Sequence, residues 1–190
     1  MKTIKTMKTM KTIKLLALLV VTSIAFTSCS KDDNGPENEE ELITNVTYTL
    51  TNGNNVVTLA FEDLDGEGGK AGTYSISGPL KANTTYTGVI KLENKTEKPA
   101  EDITLEVKKE NDEHEFFYTS SISGITIKKT DVDRNNNPLG IKSTLTTAAA
   151  GSGSITIILK HKPKKPNSGK ASEAGGSTDV EVAFKNVTIK

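Results

Sequence analysis

Apolar and polar positions alternate with a period of two in short runs along most of the chain. The runs fall at 42–51, 55–61, 72–77, 84–93, 115–119, 122–130, 141–147, 153–161 and 178–190. Such alternation marks strands with one buried face, and the Gly, Asn and Pro residues between the runs supply turns. In 84–93, Tyr86, Ile90 and Leu92 share a face with Gly88, while Thr85, Thr87 and Lys91 occupy the other. Twenty Thr follow Cys29, and β-branched side chains suit a pleated, half-buried surface. Short strands separated by turns, without long helical patterns, predict a mainly β fold: an antiparallel immunoglobulin-like β-sandwich.

Two stretches break the strand rhythm. In 99–114 (PAEDITLEVKKENDEH), Ile103, Leu105 and Val107 alternate, yet the flanking chemistry is helical. Pro99 is placed in a first turn, Glu101 and Asp102 face the positive dipole end, and Lys108 and Lys109 come later. The expectation is one short helix crossing between the sheets. Residues 162–177 (KPKKPNSGKASEAGGS) are polar and rich in Pro and Gly, which predicts a long flexible hairpin loop with its lysines in solvent.

The beginning of the chain has a different character. Residues 1–14 are Lys-rich and 15–26 (LLALLVVTSIAF) form an apolar run too short to span a membrane but right for a signal-peptide core. Phe26-Thr27-Ser28-Cys29 then resembles a bacterial lipobox, with Phe26 and Thr27 where Leu and Ala or Ser are usual. Residues 1–28 are therefore expected to be removed, leaving a lipidated Cys29. Residues 30–41 (SKDDNGPENEEE) carry six acids and one Lys, the composition of a disordered, self-repelling tether. Lys31-Asp32-Asp33 resembles the signal that sends lipoproteins of the Bacteroidota to the outer face of the outer membrane. Residues 42–190 then form a single domain.

Charge narrows the partners. Residues 1–28 hold five Lys and no acid, so 29–190 keeps 19 basic against 24 acidic side chains, a net −5. That balance excludes a general nucleic-acid binder.

Candidate chemistry is sparse. Asp63, Asp65 and Glu67, on the Gly-rich stretch Glu62–Gly69, could converge oxygen ligands on Ca²⁺, and so could Asp131, Asp133 and Asn135. Neither is an EF-hand: in the second, Asn136 stands at the sixth position and Lys142 at the twelfth. Both also fit tight turns in which Asp, Asn and Gly serve the backbone. The two histidines, His114 and His161, close strand-like runs, and His114 sits among Asp112, Glu113 and Glu115. Imidazoles flanked by carboxylates bind Zn²⁺ or Cu²⁺, and two strand-end histidines could meet at one rim of a sandwich. Gly66-x-Gly68-x-x-Ala71 matches a dinucleotide pattern but precedes a strand, so it lacks the helix that would cradle a phosphate. No nucleophile elbow or phosphate loop is present, and Arg134 is the only Arg. The expectation is a non-catalytic protein.

From Glu41 onward the segments LITNVTYTLT, FEDLDGEGG, LKANTTYTGVIKLENKTEKPAEDI, DEHEFFYTS, NNNPLGIKSTLTTAAAGSGSITIILKHKP and DVEVAF resemble a family of small Bacteroidota outer-membrane lipoproteins. These are often labelled type 1 periplasmic binding fold proteins. A true type 1 binder needs two Rossmann-like lobes, so the strand pattern here still predicts a sandwich. The resemblance implies association with a TonB-dependent receptor and capture of a nutrient, a divalent metal among the candidates. A structural or adhesive surface protein that binds a protein partner through its loops is the alternative.

Overall fold

A computed structural model describes residues 42–66 and 69–190. The expected signal segment 1–28, Cys29, the export signal Lys31, Asp32 and Asp33, the rest of the tether, and Glu67 lie outside the described residues. The described chain belongs to one compact unit, Glu40–Lys190. None of its helices is long and apolar enough to cross a membrane.

Among the described residues, nine strands fill the places where two-residue alternation predicts them. They are β1 (Asn45–Asn52), β2 (Asn55–Glu62), β3 (Thr73–Ile76), β4 (Thr85–Glu93), β5 (His114–Ser120), β6 (Thr126–Lys129), β7 (Lys142–Thr146), β8 (Gly151–His161) and β9 (Ser177–Ile189). They form an antiparallel sandwich of two sheets, one ordered β3-β2-β1-β4-β7-β6 and the other β5-β8-β9. Local chemistry sets the first register: Asn52 faces Asn55, so Gly53-Asn54 is a two-residue turn, and Gly53 takes φ +55° at its first central position.

The core follows from the pleat. Val46, Tyr48 and Leu50 of β1 and Tyr86, Ile90 and Leu92 of β4 are buried on one face of the larger sheet. Phe116, Ile155, Ile157, Leu159, Val182 and Phe184 of the smaller sheet join the same cluster. Each such side chain contributes about 1.5–3 kcal/mol on burial. Gly88 lets β4 approach its neighbours: a Cβ there would sit 2.5 Å from Tyr48 Oη and 2.6 Å from Ser143 Oγ. Those two hydroxyls share a buried 2.7 Å hydrogen bond.

The expected crossover helix is α1 (Ile103–Lys109), running from β4 in one sheet to β5 in the other. Its start is later than the charge pattern implies. Asp102 is the N-cap, accepting from Thr104 N at 3.0 Å, while Pro99 and Glu101 lie before the helix and Glu101 bridges Asn94. Ile103 and Val107 enter the core, and Thr104 Oγ1 accepts from Leu92 N and donates to Leu92 O. The helix is thus sewn to β4 by a polar side chain as well as by apolar burial.

The 162–177 connection carries a second short helix, α2 (Ala171–Ala174). Lys165, expected in solvent, is instead 7% exposed and pairs with Asp133, itself fully buried. Asn167 donates to Glu115 Oε2 at 2.7 Å. The loop folds back because its polar side chains find partners on β5 and on the 131–140 turn.

Candidate metal centre

The two histidines meet. The β5–β8 register sets His114 opposite His161, although 46 residues separate them, and the imidazoles stack with centroids 4.7 Å apart and planes within 3°. Both continue the inward rows of their strands, His114 after Phe116 and His161 after Leu159, so they form the last layer of the core at one rim. His114 is 3% exposed.

Among the described residues, Glu110, His114 and His161 form a group whose ligand atoms all lie within 4.8 Å of one another. Glu110 caps the end of α1, and its backbone carbonyl lies 3.1 Å from His114 Nδ1. A carbonyl only accepts, so Nδ1 carries the proton and Nε2 presents its lone pair. This is the tautomer of a metal-binding imidazole oriented by the backbone. Burial holds the His114 imidazole below its ordinary pKa, and the neighbouring His161 reinforces the shift over the opposing pull of Glu110. His161 Nε2 is buried without a hydrogen-bond partner. The nearest acid, Glu113 Oε2, lies 3.4 Å away, beyond the usual hydrogen-bond range.

These separations are informative. With Zn–N and Zn–O bonds of about 2.0–2.1 Å, neighbouring ligands of a tetrahedral ion lie about 3.3–3.4 Å apart. The His161–Glu113 gap already has that length, while the 4.8 Å spread of Glu110, His114 and His161 is wider than the span of two ligands on one ion. Two nitrogens with carboxylate oxygens suit zinc or copper, whereas calcium demands an all-oxygen shell.

The other expected residues are employed elsewhere. Asp112 pairs with Arg134 Nε at 3.2 Å. Glu115, one residue from His114, projects to the opposite face, where Lys129 and Asn167 occupy its oxygens. Glu115 therefore does not join the imidazoles. Glu113 stays close, held by Lys162 at 3.4 Å as well as by His161. Burial pushes its carboxyl up, but Lys162 and His161 together draw it below its usual value.

In the candidate calcium turns, backbone amides take the carboxylates. Asp63 Oδ1 accepts from Gly66 N at 3.0 Å and Asp65 Oδ2 from Lys70 N at 2.9 Å. Asp131 Oδ1 accepts from Gly140 N, and Asp133 Oδ1 from Asn135 N and Asn137 N. The Lys165 ammonium sits on Asp133 Oδ2 at 3.0 Å, in the place a bound cation would take. These acids shape turns, as the alternative reading of their sequence allows.

Sequence reasoning missed Glu110, hidden in the charged run KKEND, and Asp179, whose Oδ2 lies 3.8 Å from His114 Nε2. No protein-family model matches the chain, nor does any curated protein or solved structure. The functional reading therefore rests on the geometry of the rim and on the sequence.

Proposed function

We propose that this protein is a non-catalytic binding module that captures a divalent transition metal, zinc or copper, at the His114–His161 rim. In this reading it is anchored through Cys29 to the outer membrane, faces the cell exterior, and passes its cargo to a TonB-dependent transporter. One observation carries the metal assignment: two imidazoles in cross-strand register, His114 buried with its Nδ1 oriented by a backbone carbonyl, and His161 partly buried with its Nε2 out of solvent and without a hydrogen-bond partner. Neutral imidazole is the ligand form, and the lowered pKa of His114 keeps it in that form at neutral pH. The anchor and the transporter rest on the lipobox-like segment and on the sequence resemblance.

Calorimetric titration of the purified protein with Zn²⁺ and Cu²⁺ tests the reading. Saturable 1:1 heat at micromolar metal, abolished by His114→Ala plus His161→Ala, is expected. Absence of heat, or binding untouched by the double substitution, refutes it.

A structural or adhesive role has its own observation. A groove of about 610 Å³ runs between Tyr74 and Ile76 of edge strand β3 and Phe184, Lys185 and Asn186 of β9. Tyr74 is half exposed there and meets Phe184 edge-on at 5.8 Å. Co-purification with a transporter in the absence of metal favours this second reading.

A further inference from the structure

We propose that the side chains of Lys129 and Asn167 join through an amide bond, a covalent clamp that the fold forms without an enzyme or an oxidant. The observation behind it is a shared carboxylate. Lys129 Nζ donates to Glu115 Oε1, and Asn167 Nδ2 donates to Glu115 Oε2 at 2.7 Å. An amine and a carboxamide thus sit on the two oxygens of one side chain that is only 3% exposed. All three residues line one cleft of about 250 Å³, together with Pro138 and Pro166. The cleft owes nothing to the imidazoles, so the clamp stands independently of the metal reading.

Each group is prepared for its part. The Lys129 side chain is 16% exposed, and its Nζ lies 4.2 Å from the centre of the Phe117 ring. Burial draws its pKa below the ordinary value and Lys165 adds to the shift, over the opposing pull of Glu115. The neutral, nucleophilic amine is therefore closer to hand than in a solvated lysine. The Asn167 amide is oriented at both ends: Oδ1 accepts from Gly169 N at 2.8 Å, and Nδ2 also donates to Lys164 O at 2.9 Å. Gly169 takes φ +79°, a left-handed turn that suits glycine and brings its N–H back onto Asn167. A backbone N–H at that distance stabilises the oxyanion that forms when a carbonyl is attacked.

The step balances without a co-reactant. Glu115 takes a proton from the Lys129 ammonium, the freed amine attacks Asn167 Cγ, and the Nζ–Cγ bond forms with charge on Oδ1. The Glu115 carboxyl then gives its proton to Nδ2, the Cγ–Nδ2 bond breaks, and ammonia leaves. Glu115 collects a second proton from Nζ and releases it to the ammonia as ammonium, which restores the carboxylate. Nothing is oxidised or reduced, and the chain loses one NH₃. The product ties β6, at the edge of the larger sheet, to the connection between β8 and β9 of the smaller one. With a single Cys the chain cannot make that tie by an internal disulfide. A cross-link between distant residues restricts the unfolded chain, and an amide does so whatever the redox conditions.

Tryptic peptide mapping of the purified full chain by mass spectrometry tests the proposal. The expected product is a branched peptide joining residues 129–134 to 165–170, about 17 Da lighter than the two segments together because one ammonia is gone. Asn167→Ala removes the carbonyl that is attacked, and Glu115→Gln removes the proton carrier. Each should yield only linear peptides while its circular dichroism remains that of the natural protein. Only linear peptides from the natural protein overturn the proposal, whether or not a variant folds. The same mass loss confined to a linear peptide means that an Asn has cyclised onto its own backbone, and overturns it as well. A branched peptide that persists in natively folded Glu115→Gln overturns the role given to Glu115.

Discussion

Replacing Lys165 by Met removes the ammonium that holds the 162–177 loop against the sandwich. Its Nζ lies 3.0 Å from Asp133 Oδ2, 2.9 Å from Asn111 O and 2.5 Å from His114 O, so all three of its donors are used inside the protein. Exposures of 7% for Lys165 and 0% for Asp133 place the pair out of water. Removing one partner of such a pair typically costs about 3–5 kcal/mol, because the other charge is left buried. Asp133 Oδ1 keeps the amides of Asn135 and Asn137, which puts the expectation at the lower end, about 3 kcal/mol. For a domain of this size that corresponds to a fall in Tm of roughly 6–12 °C. Urea unfolding at pH 7 with an unchanged m-value measures it. Adding Asp133→Asn to Lys165→Met should recover part of the loss, since an amide needs no counter-charge. The acid limb gives a second readout. Burial pushes the Asp133 carboxyl up, but the amides of Asn137 and Asn135 and the Lys165 ammonium outweigh it and hold it below its usual value. Its contribution is therefore full above about pH 3.9 and lost as pH falls through the lower folded value, and this loss should shrink in Lys165→Met. A destabilisation below about 1 kcal/mol, the range of exposed ion pairs, refutes the argument.

Three further outcomes follow from the packing. Gly88→Ala drives a methyl into Tyr48 and Ser143 and should destabilise by about 1–3 kcal/mol in the same urea assay; a neutral result contradicts the tight packing there. Asp102→Ala removes the cap of α1 and should cost about 0.5–2 kcal/mol, with Asp102→Asn nearly silent. In the metal-free protein, the lowered pKa of His114 means that the unfolded chain takes up the proton first. Stability should hold above the ordinary imidazole value near 6.5 and fall as pH drops below it, with His114→Gln flattening the decline. A Tm that rises between pH 7 and 5.5 shows instead that His114 charges against Asp179 in the folded state.

The strands were legible because one-sided burial writes a period of two into the sequence, as β4 shows residue by residue. The crossover helix was legible in type but not in onset, since Pro99 and Glu101 carry helix-start chemistry yet only Asp102 turns its side chain onto an amide. The histidines could be singled out as candidates. Their meeting could not be read, because cross-strand register over 46 residues depends on pairing that no local pattern encodes. Asp179 was hidden for a sharper reason: alternation assigns it to solvent, and only the bulge between Val180 and Thr178 reverses its face. Lys165 and Glu115 were misplaced by the same limit. A buried ion pair looks in sequence like any two surface charges until the chain brings them together.

X-ray absorption at the zinc edge of the stoichiometrically loaded protein tests the metal centre most directly. The spectrum should contain two imidazole rings bound through nitrogen at about 2.0–2.1 Å, with the remaining ligands oxygen. A coordination shell of oxygen alone, without imidazole scattering, contradicts the assignment of His114 and His161.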